Sequence, residues 1–211
     1  MASLPRFYPI LDTGLLDARG ISAEAAGSEL LDAGARILQF RHKGHLSRSV
    51  FETACRVNNL CQRSGALFVM NDRADIARLL GAALHLGQDD LPPADARRVL
   101  GPQSLVGFST HNEQQLHNAA AEPVDYIALG PIFGTDSKSN PDPIVGLEEL
   151  RHLRPLTTLP LVAIGGIRRE NARDVIAAGA DAIAVIGDLF AEPCDTASFR
   201  ARAQHWVELL R

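Results

Sequence analysis

The segment SAEAAGSELLDAGARILQFRHK, residues 22–43, decides the fold class because it contains one complete helix–strand unit. Its first part predicts a helix over residues 22–33, which begins at a capping serine and ends before Gly34. The run RILQF, residues 36–40, then predicts a short buried strand. A cationic triplet, RHK, follows directly, so polar side chains lie at the carboxyl end of this strand.

The same unit recurs along the whole chain. Further helices are predicted over residues 47–63, 146–153 and 170–178, and the last helix carries an apolar face at Phe199, Ala203, Trp206 and Leu210. Strands that alternate with helices favour a parallel α/β sheet, and eight such units favour closure into a compact (β/α)₈ TIM barrel. The eight predicted strands cover residues 7–11, 36–40, 67–70, 83–86, 105–108, 126–129, 161–164 and 182–186.

An open, doubly wound sheet is the alternative fold. Nucleotide-binding sheets of that kind carry G-x-G-x-x-G after the first strand, and this chain has LDTGL at residues 11–15 instead. The chain length of 211 residues fits a single domain over residues 1–211. The polar, proline-containing segment 137–143 follows the sixth strand and is predicted to be a mobile loop rather than a linker.

Composition narrows the class of partner. The formal net charge of −4 argues against a general nucleic-acid binder. No run of about 18 apolar residues indicates a membrane span, and the N-terminus lacks the pattern of a signal peptide. The three cysteines show no metal-binding spacing, and Cys61 falls on an apolar helical stripe. We therefore expect a cytoplasmic protein that acts on small molecules, with a homodimer as a possible assembly.

Polar clusters and glycine turns follow the predicted strands. In a TIM barrel the active site lies at the carboxyl ends of the strands, which we call the carboxyl rim. Arg41 and Lys43, two residues apart, suit the grip on a diphosphate, and Asp72 and Asp90, on adjacent strands, suit an oxygen-ligated cation such as Mg²⁺. The carboxyl rim comprises residues 41–43, 71–72, 87–90, 109–111, 130, 135–138, 165–166 and 187–188.

Each of these residues also has a structural interpretation. Arg41 and Lys43 could be solvated charges, Asp72 could cap a helix, Asp90 could cap a turn and Ser109 could be an N-cap.

Glycines and histidines at the carboxyl rim are open to two interpretations as well. Gly165 and Gly166 could form a tight turn alone, or a turn whose backbone N–H groups bind a phosphate. His85 is expected to be a hydrogen-bonded interior residue. His111 could be a cap-region residue or a proton shuttle.

Taken together, these motifs resemble the thiamine phosphate synthase family, over nearly the whole chain from about residue 7 to about residue 189. Any single motif would be weak evidence, but their order on successive strands is specific. The matching pieces are QFRHK at 39–43, VMND at 69–72, HLGQDD at 85–90, GFSTH at 107–111, DYIALGPIF at 125–133, TDSK at 135–138 and AIGGI at 163–167.

The resemblance implies a reaction in which an aminopyrimidine methyl diphosphate joins a thiazole ethyl phosphate and releases pyrophosphate. It implies Mg²⁺ held by Asp72 and Asp90, and catalytic roles for Arg41, Lys43, Ser109 and Lys138 at the diphosphate. By the same resemblance Gln39, Arg41, Lys43 and Asn71 hold the pyrimidine diphosphate. The residues implied around the thiazole phosphate are Thr135, Ser137, Gly166, Ile186 and Gly187.

The chain departs from the family pattern at three positions. His42 stands where the family commonly has Glu, Gly134 where Pro is usual, and Gly187 where Ser is usual. These changes bear on thiazole affinity more than on the diphosphate site. Three alternatives stay open: a thiazole tautomerase that uses His111 as its acid–base residue, another phosphosugar-handling barrel, and a non-catalytic phosphate-binding barrel.

Overall fold

The computed structural model describes residues 4–134, 143–191 and 194–211. These residues form a closed barrel in which eight strands follow one another in chain order, and every neighbouring pair is parallel. The TIM-barrel prediction is confirmed. The strands are β1 Phe7–Asp12, β2 Ile37–Arg41, β3 Leu67–Asn71, β4 Ala83–Leu86, β5 Val106–Thr110, β6 Tyr126–Leu129, β7 Leu161–Ile164 and β8 Ala182–Val185.

Helices surround the barrel and connect its strands. The predicted N-caps are confirmed, since the Ser22 side chain accepts a hydrogen bond from the backbone of Ala25 and Ser47 accepts one from Val50. Short 3-10 turns cover Arg154–Leu156 and Gly187–Phe190. The helices are α1 Thr13–Ala18, α2 Ala23–Asp32, α3 Arg48–Ser64, α4 Ala74–Leu80, α5 Pro93–Leu100, α6 Glu113–Ala120, α7 Gly146–Leu153, α8 Ala172–Ala177 and α9 Thr196–Leu209.

Several predicted boundaries were wrong by one to two residues, and most of the strand errors lie at the carboxyl rim. β2 and β3 each run one residue further than predicted, to Arg41 and Asn71, and β5 ends at Thr110. The reason is pairing, since Asp12 is in register with Arg41 and Asn71 with His85. Polar residues that looked like loop therefore belong to the rigid barrel wall.

The core has two layers. Inside the barrel lies a cluster that includes Tyr8, Ile10, Val69, Tyr126 and Val162, and a larger cluster fills the space between strands and helices. Because a barrel strand is buried on both faces, most of its residues are apolar.

The C-terminal helix closes the outer layer. Its predicted apolar face is confirmed, with Phe199, Ala203, Trp206 and Leu210 all buried, and the indole of Trp206 stacks on Phe7 with ring centroids 5.9 Å apart. None of the described helices is both long enough and apolar enough to cross a membrane.

Cys61 is buried on the inner face of α3, as its place on the apolar stripe predicted. Burial raises the pKa of its thiol to about 12, so this side chain behaves as a small apolar core residue.

Candidate active site

Two cations stand at the carboxyl end of β2, and each is paired with a carboxylate from a neighbouring strand. Arg41 donates a hydrogen bond to Asp12 at the end of β1, and both side chains are largely buried. The Lys43 Nζ lies 2.6 Å from the Asp72 Oδ2 beyond β3, and the Lys43 side chain is half exposed. The structure thus places both cations at the carboxyl rim and holds them in fixed orientations.

Asp72 and Asp90 approach each other from adjacent strands. The pKa of Asp72 is raised, first by burial and then by a hydrogen bond with Asp90, whereas Lys43 acts in the opposite direction. Asp90 also accepts a hydrogen bond from the backbone N–H of Gly87 at 2.7 Å. Two carboxyl groups held this close favour a cation between them.

Helix capping does not account for Asp72. The residue at the N-cap of α4 is Arg73, and no side-chain capping bond forms there. Asp72 has a φ of 64°, and among the described residues no other non-glycine residue adopts the left-handed region. A non-glycine residue in this region carries backbone strain, and such residues cluster at functional sites. Asp90 does close the turn of residues 87–90, as its structural interpretation predicted, because its Oδ2 accepts a hydrogen bond from the backbone N–H of Gly87.

Asn71, the last residue of β3, carries a polar group without a protein partner. Its side chain is 5% exposed, and its Nδ2 is the one buried side-chain nitrogen or oxygen of the described residues that makes no hydrogen bond. Leaving a buried donor unpaired costs about 1–3 kcal/mol, which a ligand could recover.

A chain of hydrogen bonds crosses the barrel interior beneath the rim. Gln39 contacts Tyr8, Tyr8 contacts Tyr126, and His85 bridges Tyr126 and Ser109, with each distance between 2.8 and 3.0 Å. His85 is therefore the interior histidine that the sequence predicted. Ser109 lies within β5 and is not an N-cap, since Asn112 caps α6.

The two tyrosines of this chain were missed by sequence reasoning. Tyr8 and Tyr126 are buried, and burial raises the pKa of both phenols well above their ordinary range. The only signal in the sequence was a tyrosine at an inward position of an otherwise apolar strand, where its hydroxyl needs a buried partner.

The turns after β7 and β8 form the other side of the carboxyl rim. Gly165 and Gly166 have φ values of 96° and 63°, and a Cβ at Gly166 would lie 2.4 Å from the carbonyl oxygen of Gly134. Gly187 opens the 3-10 turn after β8, and Ile186 before it packs on both core clusters. The glycine turn therefore packs against the loop after β6, and this close approach requires residues without side chains.

Predicted residues of both the thiazole phosphate site and the diphosphate site fall outside the described residues. This applies to Thr135, Ser137 and Lys138, and to residues 137–142 of the predicted loop.

The histidines of the carboxyl rim are held by neighbouring loops. The His111 Nδ1 lies 2.5 Å from the carbonyl oxygen of Gly130, and its backbone N–H donates to Gln115. His111 precedes the Asn112 N-cap, so it is in the cap region of α6. The His42 Nδ1 lies 2.8 Å from the hydroxyl of Thr13, the first residue of α1.

Comparison with known proteins supports the family resemblance that the sequence motifs indicated. The family model described as thiamine monophosphate synthase matches residues 7–189. The chain belongs to this family. It is 46% identical to the thiamine-phosphate synthase of Koribacter versatilis over 210 residues, which cover 98% of this chain and 96% of that protein.

Other relatives agree. The thiamine-phosphate synthase of Chloroflexus aurantiacus is 40% identical and covers 92% of this chain and 89% of its own length. The solved structure of thiamine phosphate pyrophosphorylase from Pyrococcus furiosus superposes with a TM-score of 0.84 at 30% identity, covering 98% of this chain and 95% of that one. The family resemblance inferred from the motifs is confirmed.

Proposed function

We propose that this protein is a thiamine phosphate synthase. It joins 4-amino-2-methyl-5-pyrimidinylmethyl diphosphate to 4-methyl-5-(2-phosphoethyl)thiazole, or its carboxylate, and releases pyrophosphate. The observation that carries the proposal is the group at the ends of β2, β3 and β4, where Arg41 and Lys43 stand beside Asp72 and Asp90. Cations and paired carboxylates together suit a diphosphate that is bound along with a metal.

The reaction we propose is a dissociative substitution. The bond between the pyrimidine methylene carbon and the diphosphate oxygen breaks, and both electrons leave with the diphosphate. The electron-rich aminopyrimidine stabilises the cation that remains, and the thiazole nitrogen donates its lone pair to form the new C–N bond. No side chain has to act as a nucleophile, so the protein's task is to stabilise departing charge and to orient the two rings.

Residues near the carboxyl ends of β2, β3 and β5 are assigned to binding the pyrimidine diphosphate and to stabilising the departing diphosphate. Arg41 and Lys43 are catalytic residues that neutralise the leaving group, and the carboxylates that hold them fix their direction before the substrate binds. Ser109 donates a hydrogen bond to the diphosphate. Asn71 has an unpaired donor, and Gln39 lies at the inner end of the site, so these two are assigned to the pyrimidine diphosphate.

The residues present fit Mg²⁺. Asp72 and Asp90 offer hard oxygen ligands. The pKa of Asp72 is raised first by burial and then by Asp90, so a bound cation would stabilise its ionised form. The described residues contain no cluster of three or more metal-binding side chains, so diphosphate oxygens and water would complete the coordination. When bound, the ion would neutralise part of the diphosphate charge as a Lewis acid.

The second half of the site is assigned to the thiazole phosphate. Backbone N–H groups at Gly166 and Gly187 suit a phosphate, as loops after the seventh and eighth strands of such barrels commonly do. Ile186 would contact the thiazole ring. Thr135 and Ser137 are assigned to the same phosphate, and Lys138 to the diphosphate, from the family pattern alone.

A direct assay tests the proposal. Purified protein is supplied with both substrates and Mg²⁺, with and without EDTA, and thiamine phosphate and pyrophosphate are quantified. We expect equal amounts of the two products, and loss of both with EDTA. The variant Asp90→Asn should lower kcat by about 100-fold or more. Its control is Asp89→Asn, which changes the adjacent exposed carboxylate and should stay active.

One specific outcome would contradict the synthase proposal. Thiamine phosphate would be absent under all conditions while the thiazole carboxylate tautomerises, which would assign His111 as the acid–base residue. A fully active Asp90→Asn variant would contradict the metal role alone. The small-molecule substrates follow from the synthase activity, whereas a cytoplasmic location and a homodimer stay predictions.

A further inference from the structure

Five polar side chains from five different strands form one hydrogen-bonded chain through the barrel. Gln39 Nε2 lies 3.0 Å from the Tyr8 hydroxyl, and the Tyr8 hydroxyl lies 2.8 Å from that of Tyr126. The Tyr126 hydroxyl lies 3.0 Å from His85 Nδ1, and His85 Nε2 lies 2.9 Å from Ser109 Oγ. The chain begins at one residue assigned to the diphosphate substrate and ends at another.

The number of available protons fixes the donor-to-acceptor direction along this series of hydrogen bonds. The Gln39 amide nitrogen can only donate, so the Tyr8 hydroxyl accepts from it. A hydroxyl has a single proton, and the acceptor in reach of Tyr8 is the hydroxyl of Tyr126. Tyr126 therefore accepts from Tyr8 and must donate its own proton to His85 Nδ1.

The reverse direction is costly. If Tyr126 donated to Tyr8 instead, the proton of Tyr8 would have no acceptor among the described residues that surround it. Both tyrosines are at most 1% exposed, so water does not substitute. An unpaired buried donor costs about 1–3 kcal/mol, enough to select one direction. Both phenols keep their protons, because burial raises the pKa of each.

The direction determines what Ser109 does. Since His85 Nδ1 accepts from Tyr126, the ring proton resides on Nε2 and is donated to Ser109 Oγ. The hydroxyl proton of Ser109 then has no acceptor within the described part of the barrel. It remains available to a group that arrives at the carboxyl rim.

We infer that Tyr126 is a positioning residue that, through His85, sets Ser109 as a hydrogen-bond donor to the departing diphosphate. This inference rests on the proposed synthase function and adds to it a residue that never touches the leaving group. Donors aligned in advance stabilise charge that develops as the bond breaks, and hydrogen bonds in a series polarise one another in a low-dielectric interior.

The neighbouring strand makes room for this arrangement. Tyr126 is in register with Gly107 of β5, and a Cβ at Gly107 would lie 2.0 Å from the Tyr126 ring. The phenol therefore lies directly against the β5 backbone, which directs its hydroxyl to the imidazole of His85. The two rings are nearly parallel, with centroids 5.6 Å apart.

The first test is the variant Tyr126→Phe, which removes the hydroxyl and keeps the ring. We expect kcat to fall about tenfold, equivalent to about 1.4 kcal/mol, while the KM for the thiazole phosphate stays constant. Ser109→Ala should lower kcat further. The double variant should be no slower than Ser109→Ala within about twofold, because the hydroxyl that Tyr126 positions is already gone.

A graded control lies one step further from Ser109. Tyr8→Phe removes a hydroxyl of the same chain but leaves the donation from Tyr126 to His85 in place. Its loss of kcat should be smaller than that of Tyr126→Phe. Thermal denaturation of each variant shows whether it is folded, so that a loss of activity can be interpreted.

The second test does not depend on activity. The ¹⁵N NMR shifts of the His85 ring, assigned with His85→Gln, are measured above pH 8 in the wild-type chain and in Tyr126→Phe. We expect a protonated Nε2 in the wild type and a mixture of tautomers in the variant. A protonated Nδ1 in the wild type, an unchanged kcat in Tyr126→Phe, or additive losses in the double variant would overturn the inference. A wild-type chain that makes no thiamine phosphate would instead overturn the proposed function.

Discussion

Asp188 offers a test of how the turn after β8 is held in place. This residue follows Gly187, and its side chain is 6% exposed. One oxygen, Oδ2, accepts a hydrogen bond from the Trp206 indole at 2.7 Å and another from Arg169 Nε at 2.9 Å. A single carboxylate thus ties together the loop after β7, the turn after β8 and the C-terminal helix.

The loss of stability expected for Asp188→Ala follows from the groups that its carboxylate contacts. Trp206 is completely buried, so its indole N–H would be left unpaired at a cost of about 1–3 kcal/mol. Arg169 is 23% exposed and could be partly hydrated, which limits its share to about 1 kcal/mol. The total of about 2–4 kcal/mol corresponds to a fall in Tm of roughly 5–15 °C for a domain of this size.

The same variant should weaken the binding of one substrate selectively. Because Gly187 lies beside Asp188, we expect the KM for the thiazole phosphate to rise about tenfold, or about 1.4 kcal/mol. The KM for the pyrimidine diphosphate should stay within about twofold of the wild type, since the site proposed for it lies on other strands. Urea denaturation and steady-state kinetics measure the two effects. Asp188→Asn keeps an oxygen acceptor and should restore most of both.

A matched control is available at the opposite end of the barrel. Asp125 Oδ2 accepts hydrogen bonds from the Val106 backbone at 2.7 Å and from Arg97 at 2.8 Å. Asp125→Ala should destabilise the fold without changing the ratio of the two KM values. The reasoning would be refuted if Asp188→Ala cost less than about 1 kcal/mol, or if both variants changed the two KM values alike.

Two further substitutions probe the two halves of the carboxyl rim. Asp72→Asn should raise the Tm of the metal-free protein at pH 7 and lower kcat about 100-fold or more. Because the pKa of Asp72 is raised in the folded state, its ionised form destabilises the fold above that pKa, and the amide of Asn removes this charge. A lower Tm for Asp72→Asn would contradict this explanation. Gly166→Ala should cost about 2–4 kcal/mol in urea denaturation, because its φ is 63° and its Cβ would meet the loop after β6. An unchanged urea midpoint for Gly166→Ala would show that the turn can relax.

Much of the barrel could be read from local sequence. The strands at Ala83–Leu86, Tyr126–Leu129 and Leu161–Ile164 have the predicted bounds, because a barrel strand is buried on both faces and its apolar run stands out. The cations at the carboxyl end of β2 were predicted for a similar reason, since a charged residue after such a run has to lie at its end.

The helices were harder to predict from the sequence than the strands. α1, Thr13–Ala18, was not predicted, because six residues carry too little periodicity to distinguish a helix from a loop. The helix predicted over residues 170–178 is shorter, Ala172–Ala177, because its first residues form a turn.

The sequence by itself determined the order of strands, the polar ends that share the carboxyl rim, and the family to which the chain belongs. Only the tertiary structure decided which polar groups meet. Tyr8 and Tyr126 are 118 residues apart and touch because the barrel is closed, and Trp206 of the last helix contacts both Asp188 and Phe7 of the first strand. Such contacts depend on the radius and register of a closed sheet, which no local pattern of residues encodes.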